Sequence, residues 1–271
     1  MLSNVTLGRF FPGDSFVHKL DPRIKIVSTV LLLISIFLSA SYLSLFLNLT
    51  AVLVFVVLTK IPLKTYLKSM KFVFFVVLFT SVLNIFLAKG APVLQIGQVV
   101  ITKEGIDNSI FVSMRLVILI LVSSLLTFTT SPTSLTDALE CLLKPLSLFK
   151  VKTHELALMM TIALRFIPTL LEETDKIKDA QKARGVDMET GSIFKRIKAF
   201  VPVLVPLFVL SFKRAYDLAL AMECRCYRGG EGRTHMRILC VKLQDIITLF
   251  VVLSLVLVTI LINMCFSAVV L

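Results

Sequence analysis

The sequence predicts an all-α integral membrane protein, with about five transmembrane helices and a lobe of about three helices, two of them long. Of its 271 residues, 57% are hydrophobic and only 17% are charged. Soluble chains are about 45–50% apolar and about 25% charged. This composition excludes a disordered chain and a soluble enzyme. The five cysteines are odd in number and scattered, so they predict free thiols and no disulfide framework.

Four stretches without a charged residue predict the spans, because burying an ion in hydrocarbon costs at least ~2.5 kcal/mol. The first covers residues 26–59, which are 34 residues. As one helix it would measure ~51 Å against a hydrocarbon core of ~30 Å, so it must fold back. Its least apolar point, Ser39-Ala40-Ser41-Tyr42, is the predicted turn. The other stretches are residues 72–88, 116–136 and 246–271.

These stretches predict transmembrane helices at about 25–40, 42–59, 71–88, 109–130 and 246–267. The domain organisation is then 1–130 for the N-terminal segment and four helices, 131–245 for the lobe, and 246–271 for the fifth helix. Charged residues interrupt the first 25 residues, so no cleavable signal is predicted. Residues 91–105 carry β-branched side chains around a glycine and predict a small external hairpin.

The basic residues predict the sidedness of this multi-pass chain. The lobe holds 18 of the 29 Lys and Arg, and the N-terminal segment and the loop at 60–71 are also basic. The N-terminus and the lobe are therefore expected in the cytoplasm, and the C-terminus outside. The cytoplasmic excess of Lys and Arg explains the net charge of +12, so the lipid bilayer is an expected partner and a nucleic acid is not.

The lobe is predicted to contain three helices. The first begins at Ser131-Pro132 and stops at Lys144-Pro145, and the second runs from about 153 to 184. The third starts at Phe200, continues to Arg225 and is ended by Gly229-Gly230. The two long helices are each apolar in their first half and polar in their second half, so each is expected to leave an apolar zone and enter water.

Both long helices end in an arginine before a predicted helix breaker. We name these ends the first tip (Ala183-Arg184-Gly185) and the second tip (Cys224-Arg225-Cys226). An arginine fork can hold a carboxylate by two hydrogen bonds, so each tip is a candidate for insertion into a groove of another protein. The alternative is an arginine that only neutralises the negative end of its own helix, worth ~0.3–1 kcal/mol.

Catalytic chemistry is not predicted. The histidines are far apart, and Cys224 and Cys226 lack the second ligand pair of a zinc site. The glycine-rich stretch 229–234 lacks the lysine of a phosphate-binding loop. The spans contain no Asp, Glu or Lys that could bind a coupling ion. If the chain transports a solute, a partner must supply the energy.

Several segments, in this order and spacing, resemble one family. The chain resembles, over most of its length, the transmembrane T component of energy-coupling factor transporters, a family that includes the membrane subunit of cobalt transporters. The matching segments are His18-Lys19-Leu20-Asp21-Pro22-Arg23-Ile24-Lys25, Thr102-Lys103-Glu104-Gly105, Ser131-Pro132, Leu164-Arg165-Phe166-Ile167-Pro168, Ala180-Gln181-Lys182-Ala183-Arg184-Gly185 and Ala221-Met222-Glu223-Cys224-Arg225-Cys226-Tyr227.

The resemblance implies a non-catalytic subunit of an ATP-driven vitamin or metal-ion uptake transporter in a prokaryotic cell membrane. The two tips would contact two cytoplasmic ATP-binding cassette ATPase subunits, which bind ATP and Mg, whereas this chain binds no cofactor or metal. Cysteines in the second tip replace the usual Ala and Gly and put its cap geometry in question. A small integral-membrane substrate-binding subunit would contact the apolar part of the lobe, for which we take Leu164, Phe166, Ile167, Pro168, Val203 and Leu207.

Two other classes of protein remain as alternatives. One is a self-sufficient membrane channel or carrier, which uptake by this chain alone in liposomes would favour. The other is an intramembrane enzyme, although the spans contain no nucleophile, paired carboxylates or metal set that would serve one. Loss of activity on removing the ATPase subunits would argue against both.

Overall fold

The computed structural model describes residues 10–87, 92–96, 99–149, 152–186, 192–230 and 240–270. The chain folds as two compact units. The bundle unit comprises the described residues of 10–131 and 240–270, and the tip unit comprises those of 132–230.

The bundle unit is helical and carries one hairpin, which confirms the predicted all-α class. Its packing centres on α2 and α5, and the core includes Ile36, Leu45, Val52, Ile118 and Val122. The turn predicted at 39–42 is confirmed, since Ser41 caps α3, and the hairpin predicted at 91–105 is confirmed as an antiparallel pair. The elements are α1 (Phe16–Lys19), α2 (Pro22–Leu38), α3 (Tyr42–Leu58), α4 (Leu63–Leu87), β1 (Pro92–Ile96), β2 (Val99–Thr102), α5 (Lys103–Thr129) and α9 (Leu243–Val270).

Three helices are long and apolar enough to cross a bilayer by length and composition: α5, residues Leu243–Cys265 of α9, and Thr153–Ala183 of the tip unit. The two parts of α4, Leu63–Lys71 and Val73–Phe86, would together form a fourth. The helices α2 and α3 have 17 residues each, near the minimum for a span. The chain is therefore a multi-pass membrane protein, while the count of five spans and the placing of Thr153–Ala183 in the lobe stay predictions.

A buried lysine and a buried aspartate connect three helix ends within the bundle unit. The Lys25 ammonium donates to the carbonyl oxygens of His18 at 3.0 Å and Thr129 at 3.1 Å. The Asp245 carboxylate, 1% exposed, accepts from the backbone N–H groups of Asp21 and Lys242, each at 2.7 Å. These contacts connect the start of α2, the end of α5 and the start of α9, so the basic N-terminal motif has a structural role.

Backbone carbonyl groups at the end of α2 accept hydrogen bonds from side chains of two other helices. The Arg115 guanidinium of α5 donates to the Ser39 carbonyl at 2.5 Å, and its carbon lies 4.8 Å from the centre of the Phe111 ring. The Asn263 amide of α9 donates to the Leu38 carbonyl at 2.6 Å. Carbonyl groups at a helix C-terminus have no intrahelical partner, so both side chains supply one.

A network of polar side chains lies inside the bundle unit. Ser35 of α2, Asn48 of α3 and Thr259 of α9 are each fully buried. The Ser35 hydroxyl lies 2.9 Å from the Asn48 carbonyl oxygen and 3.0 Å from the Thr259 hydroxyl. The Asn48 amide donates to the Ser39 hydroxyl at 3.1 Å. Interhelical hydrogen bonds of this kind hold membrane helices together, where lipid provides no hydrophobic driving force.

The tip unit contains α6 (Pro132–Leu143), a short 3₁₀ helix (Lys144–Phe149), α7 (Thr153–Ala183) and α8 (Ile193–Cys224). The predicted stop of α6 before Lys144-Pro145 is confirmed. The predicted start of the third helix at Phe200 is wrong, because α8 begins at Ile193 after Ser192. The prolines at 202 and 206 therefore lie inside α8 and do not mark its first turn.

We predict that Asn48→Leu lowers the free energy of unfolding by about 1–2 kcal/mol, because the buried hydroxyls of α2 and α9 lose their shared partner. Unfolding of the purified protein in detergent, followed by circular dichroism, measures the change. The matched control is Thr50→Val on the same helix, whose exposed hydroxyl donates to the Leu47 carbonyl at 2.8 Å. We expect that control to change stability by less than about 0.5 kcal/mol. Equal effects of both substitutions would contradict the role of the network.

Candidate functional site

The first tip is a complete Schellman cap. Gly185 adopts the left-handed conformation with φ +87°, as the sequence predicted. Its N–H donates to the Lys182 carbonyl at 2.9 Å, and the N–H of Val186 donates to the Gln181 carbonyl at 3.0 Å. These two bonds define the motif and satisfy carbonyls at the end of α7. The cap leaves Arg184 as the last residue before the chain turns.

The second tip has the same cap without a glycine. Cys226 adopts φ +56°, and its N–H donates to the Glu223 carbonyl at 2.8 Å. The N–H of Tyr227 donates to the Met222 carbonyl at 3.0 Å. The prediction that Gly229-Gly230 ends this helix is therefore wrong, because the left-handed turn comes at Cys226. The left-handed conformation costs a residue with a side chain roughly 1–2 kcal/mol, which the two cap hydrogen bonds offset.

Both arginines are left available by these caps. All six residues of the two tips are exposed. Backbone N–H groups already satisfy carbonyls at each helix end, so the guanidinium groups are not needed for that purpose. Within the described part of the chain, neither Arg184 nor Arg225 makes a side-chain hydrogen bond or ion pair. This geometry favours the interpretation of the arginines as contacts for another molecule over neutralisation of their own helix end.

The helices α7 and α8 run antiparallel along each other. The Gln181 amide near the end of α7 donates to the Pro202 carbonyl of α8 at 3.1 Å. Further along the pair, Glu173 forms an ion pair with Arg214. At the other end, the second tip lines a cavity together with Leu158 of α7. Because α7 continues for 26 residues from Leu158 to Arg184, the two arginines lie at opposite ends of the pair, on the order of 40 Å apart.

The residues expected to contact a membrane partner have different exposures. Ile167 and Pro168 are exposed, and Leu164, Phe166 and Leu207 are half-buried. Val203 is 2% exposed, so its assignment to a contact surface is wrong: the side chain packs inside the chain. The apolar surface of α8 near Val203 is formed instead by other side chains. Those with large exposed fractions include Leu204, Val205, Phe208, Val209 and Phe212.

Sequence reasoning missed a hydrogen bond at the start of α7. His154 Nδ1 lies 2.8 Å from Glu140 Oε1 of α6, and Gly230 packs directly on the His154 ring. No sequence pattern joins these three positions, so only the fold brings them together. Among the described residues, no group of three or more His, Cys, Asp or Glu could hold a metal ion.

The fold and the two tips define a multi-pass helical membrane protein that presents arginines at matched helix ends. The family described as cobalt transport protein matches residues 13–236. The energy-coupling factor transporter transmembrane protein EcfT of Ruminiclostridium cellulolyticum is 50% identical over 237 residues, which are 88% of this chain and 89% of that protein. Proteins of the same name from Clostridium kluyveri and Bacillus subtilis are 48% identical, over 96% and 88% of this chain and 97% and 90% of their own lengths. The chain belongs to this family of transmembrane components of energy-coupling factor transporters.

We predict that Cys226→Gly raises the free energy of unfolding by about 1 kcal/mol, because glycine adopts the left-handed conformation without steric cost. The reverse substitution at the matched position, Gly185→Cys, should lower it by a similar amount. Thermal unfolding of the purified protein measures both changes. Destabilisation by Cys226→Gly would show that the thiol makes a contact worth more than the strain.

Proposed function

We propose that this chain is the energy-coupling subunit of an ATP-driven uptake transporter for a vitamin or a metal ion. It would link two cytoplasmic ATP-binding cassette ATPase subunits to a small integral-membrane substrate-binding subunit. The observation that carries the proposal is the pair of matched caps, each of which leaves an arginine exposed at one end of the α7/α8 pair. ATP and Mg belong to the ATPase subunits in this proposal, and this chain takes no catalytic step.

Each tip would contact one ATPase subunit. The planar guanidinium suits a carboxylate in a groove, because it can donate two parallel hydrogen bonds. The separation of the tips, on the order of 40 Å, suits two docking sites on two subunits better than a shared site on one. The small side chains beside each arginine allow close approach, and this applies to Cys224 and Cys226 as well as to Ala183 and Gly185.

The α7/α8 pair would convert movement of the ATPase subunits into movement of an apolar surface. ATP binding draws the two subunits together, and the docked arginines follow. Because the helices are joined between the tips by Glu173 and Arg214, such a movement changes their mutual angle. The exposed apolar side of α8 then turns with its helix. A membrane partner bound to that side would be tilted and would release its substrate inward.

This mechanism requires the tips to face the cytoplasm. The distribution of Lys and Arg supports that orientation, with the N-terminus and the tip unit in the cytoplasm and the C-terminus outside. The long exposed apolar side of α8 supports a partner embedded in the membrane, because an apolar surface of that extent is uncommon on a chain that functions alone in water.

We predict that Arg184→Ala with Arg225→Ala abolishes co-purification of the ATPase subunits. Truncating a paired charge in a dry groove costs about 2–5 kcal/mol at each site, since the partner carboxylate is left without its cation. Affinity purification of the complex from membranes, with quantification of the ATPase subunits, measures the loss.

The matched control is Lys176→Ala with Lys213→Ala, which removes two exposed positive charges from the same helices away from the tips. This control should retain the ATPase subunits. The proposal is refuted if the double arginine variant still retains the ATPase subunits and supports normal transport.

A further inference from the structure

The segment that leaves the second tip folds back onto the start of α7. Gly229 adopts φ +90°, and the next residue, Gly230, lies against the His154 side chain. A Cβ atom at Gly230 would lie 2.7 Å from His154 Cδ2 and 2.9 Å from both Cβ and Cγ. Contacts this short do not occur between real side chains, so the approach of these two residues requires glycine.

The His154 ring is itself fixed from a third helix. Glu140 of α6 binds His154 Nδ1 at 2.8 Å, and the two side chains are only 16% and 27% exposed. This partly buried hydrogen bond fixes the orientation of the ring, because little water competes for the contact. Glu140 and His154 together limit how far the segment after the second tip can approach α7.

A cavity lies beside this contact. It has a volume of about 500 Å³ and is lined by Leu158 and Ile162 of α7, Leu218 and Met222 of α8, and the segment Arg225 to Gly229. Side chains that line a gap have fewer contacts there to fix the direction of the tip. The approach of Gly230 to His154 therefore supplies a close contact that can set this direction.

The cap itself does not need such a contact. A Cβ atom added at Gly185, the left-handed residue of the first tip, would meet nothing within 4 Å. The first cap therefore forms without packing of its left-handed residue on another helix. The contact at Gly230 lies outside the cap of the second tip, four residues after Cys226.

We propose that Glu140 and His154 are positioning residues that orient the second tip for its ATPase subunit and pass its displacement to α6 and α7. The inference rests on the proposed function and adds to it a route from Arg225 into the rest of the tip unit. A displacement of the second tip toward α7 pushes Gly230 against His154, and the hydrogen bond between His154 and Glu140 carries that push to α6.

The experiment compares the two tips within one complex. Two single-cysteine chains carry a photoactivatable maleimide label, one on Ala221→Cys and one on Ala180→Cys, with the native cysteines replaced by serine. These positions lie four residues before Arg225 and Arg184, outside the two tips, and both are exposed. Each chain is produced with its ATPase and membrane partners, and cross-linking to the ATPase subunits is quantified.

We predict that Gly230→Ala lowers cross-linking from position 221 by about fivefold and leaves that from position 180 within about twofold. His154→Ala removes the ring on which Gly230 rests, and it should lower the yield from position 221 by about threefold. Glu140→Ala, which frees the ring without changing the tip segment, should lower the yield from position 221 by a similar factor.

Three outcomes overturn the inference: equal losses from both positions, no loss from either, or full yield from position 221 in the His154→Ala chain. The labelled chains without Gly230→Ala test the proposed function separately. If neither position cross-links to the ATPase subunits in those chains, the proposed function fails and the positioning role fails with it. Cross-linking from both positions that does not respond to Gly230→Ala refutes only the positioning role.

Discussion

The way each helix end satisfies its last carbonyl groups determines what its neighbouring arginine can do. At the end of α2, side chains supply the missing donors, and the Arg115 guanidinium is used on the Ser39 carbonyl. At the ends of α7 and α8, backbone N–H groups of the turn supply them. The arginines there are not needed by the fold. Arg115 thus stabilises the bundle unit, whereas Arg184 and Arg225 remain available to a partner.

Polar groups inside the bundle unit also need hydrogen-bond partners. Asn48 reaches Ser35, Ser39 and Thr259 on two other helices, and Lys25 reaches two carbonyl groups at helix ends. A polar group in apolar surroundings costs free energy unless it finds a partner, so these contacts fix which helices are neighbours. They give the bundle unit a defined arrangement of helices.

Local signals in the sequence were sufficient to predict most of the helices and turns. Charge-free stretches located the long helices of the bundle unit approximately, Ser39 to Tyr42 located the turn, and Gly185 located the end of α7. The left-handed residue of α8 was not predictable, because Cys226 has no preference for that conformation and Gly229 is a better candidate. The burial of Val203 and the meeting of His154 with Gly230 depend on packing between helices, which no local pattern encodes.

The antiparallel pairing of α7 and α8 also has a consequence for symmetry. Two antiparallel helices are related by an approximate dyad perpendicular to both axes, and here that dyad exchanges one capped arginine for the other. A single chain without internal duplication can therefore match a dimer built on a two-fold axis. The equivalence is incomplete, because glycine occupies one cap and cysteine the other, so the two halves of such a dimer would meet chemically different surfaces.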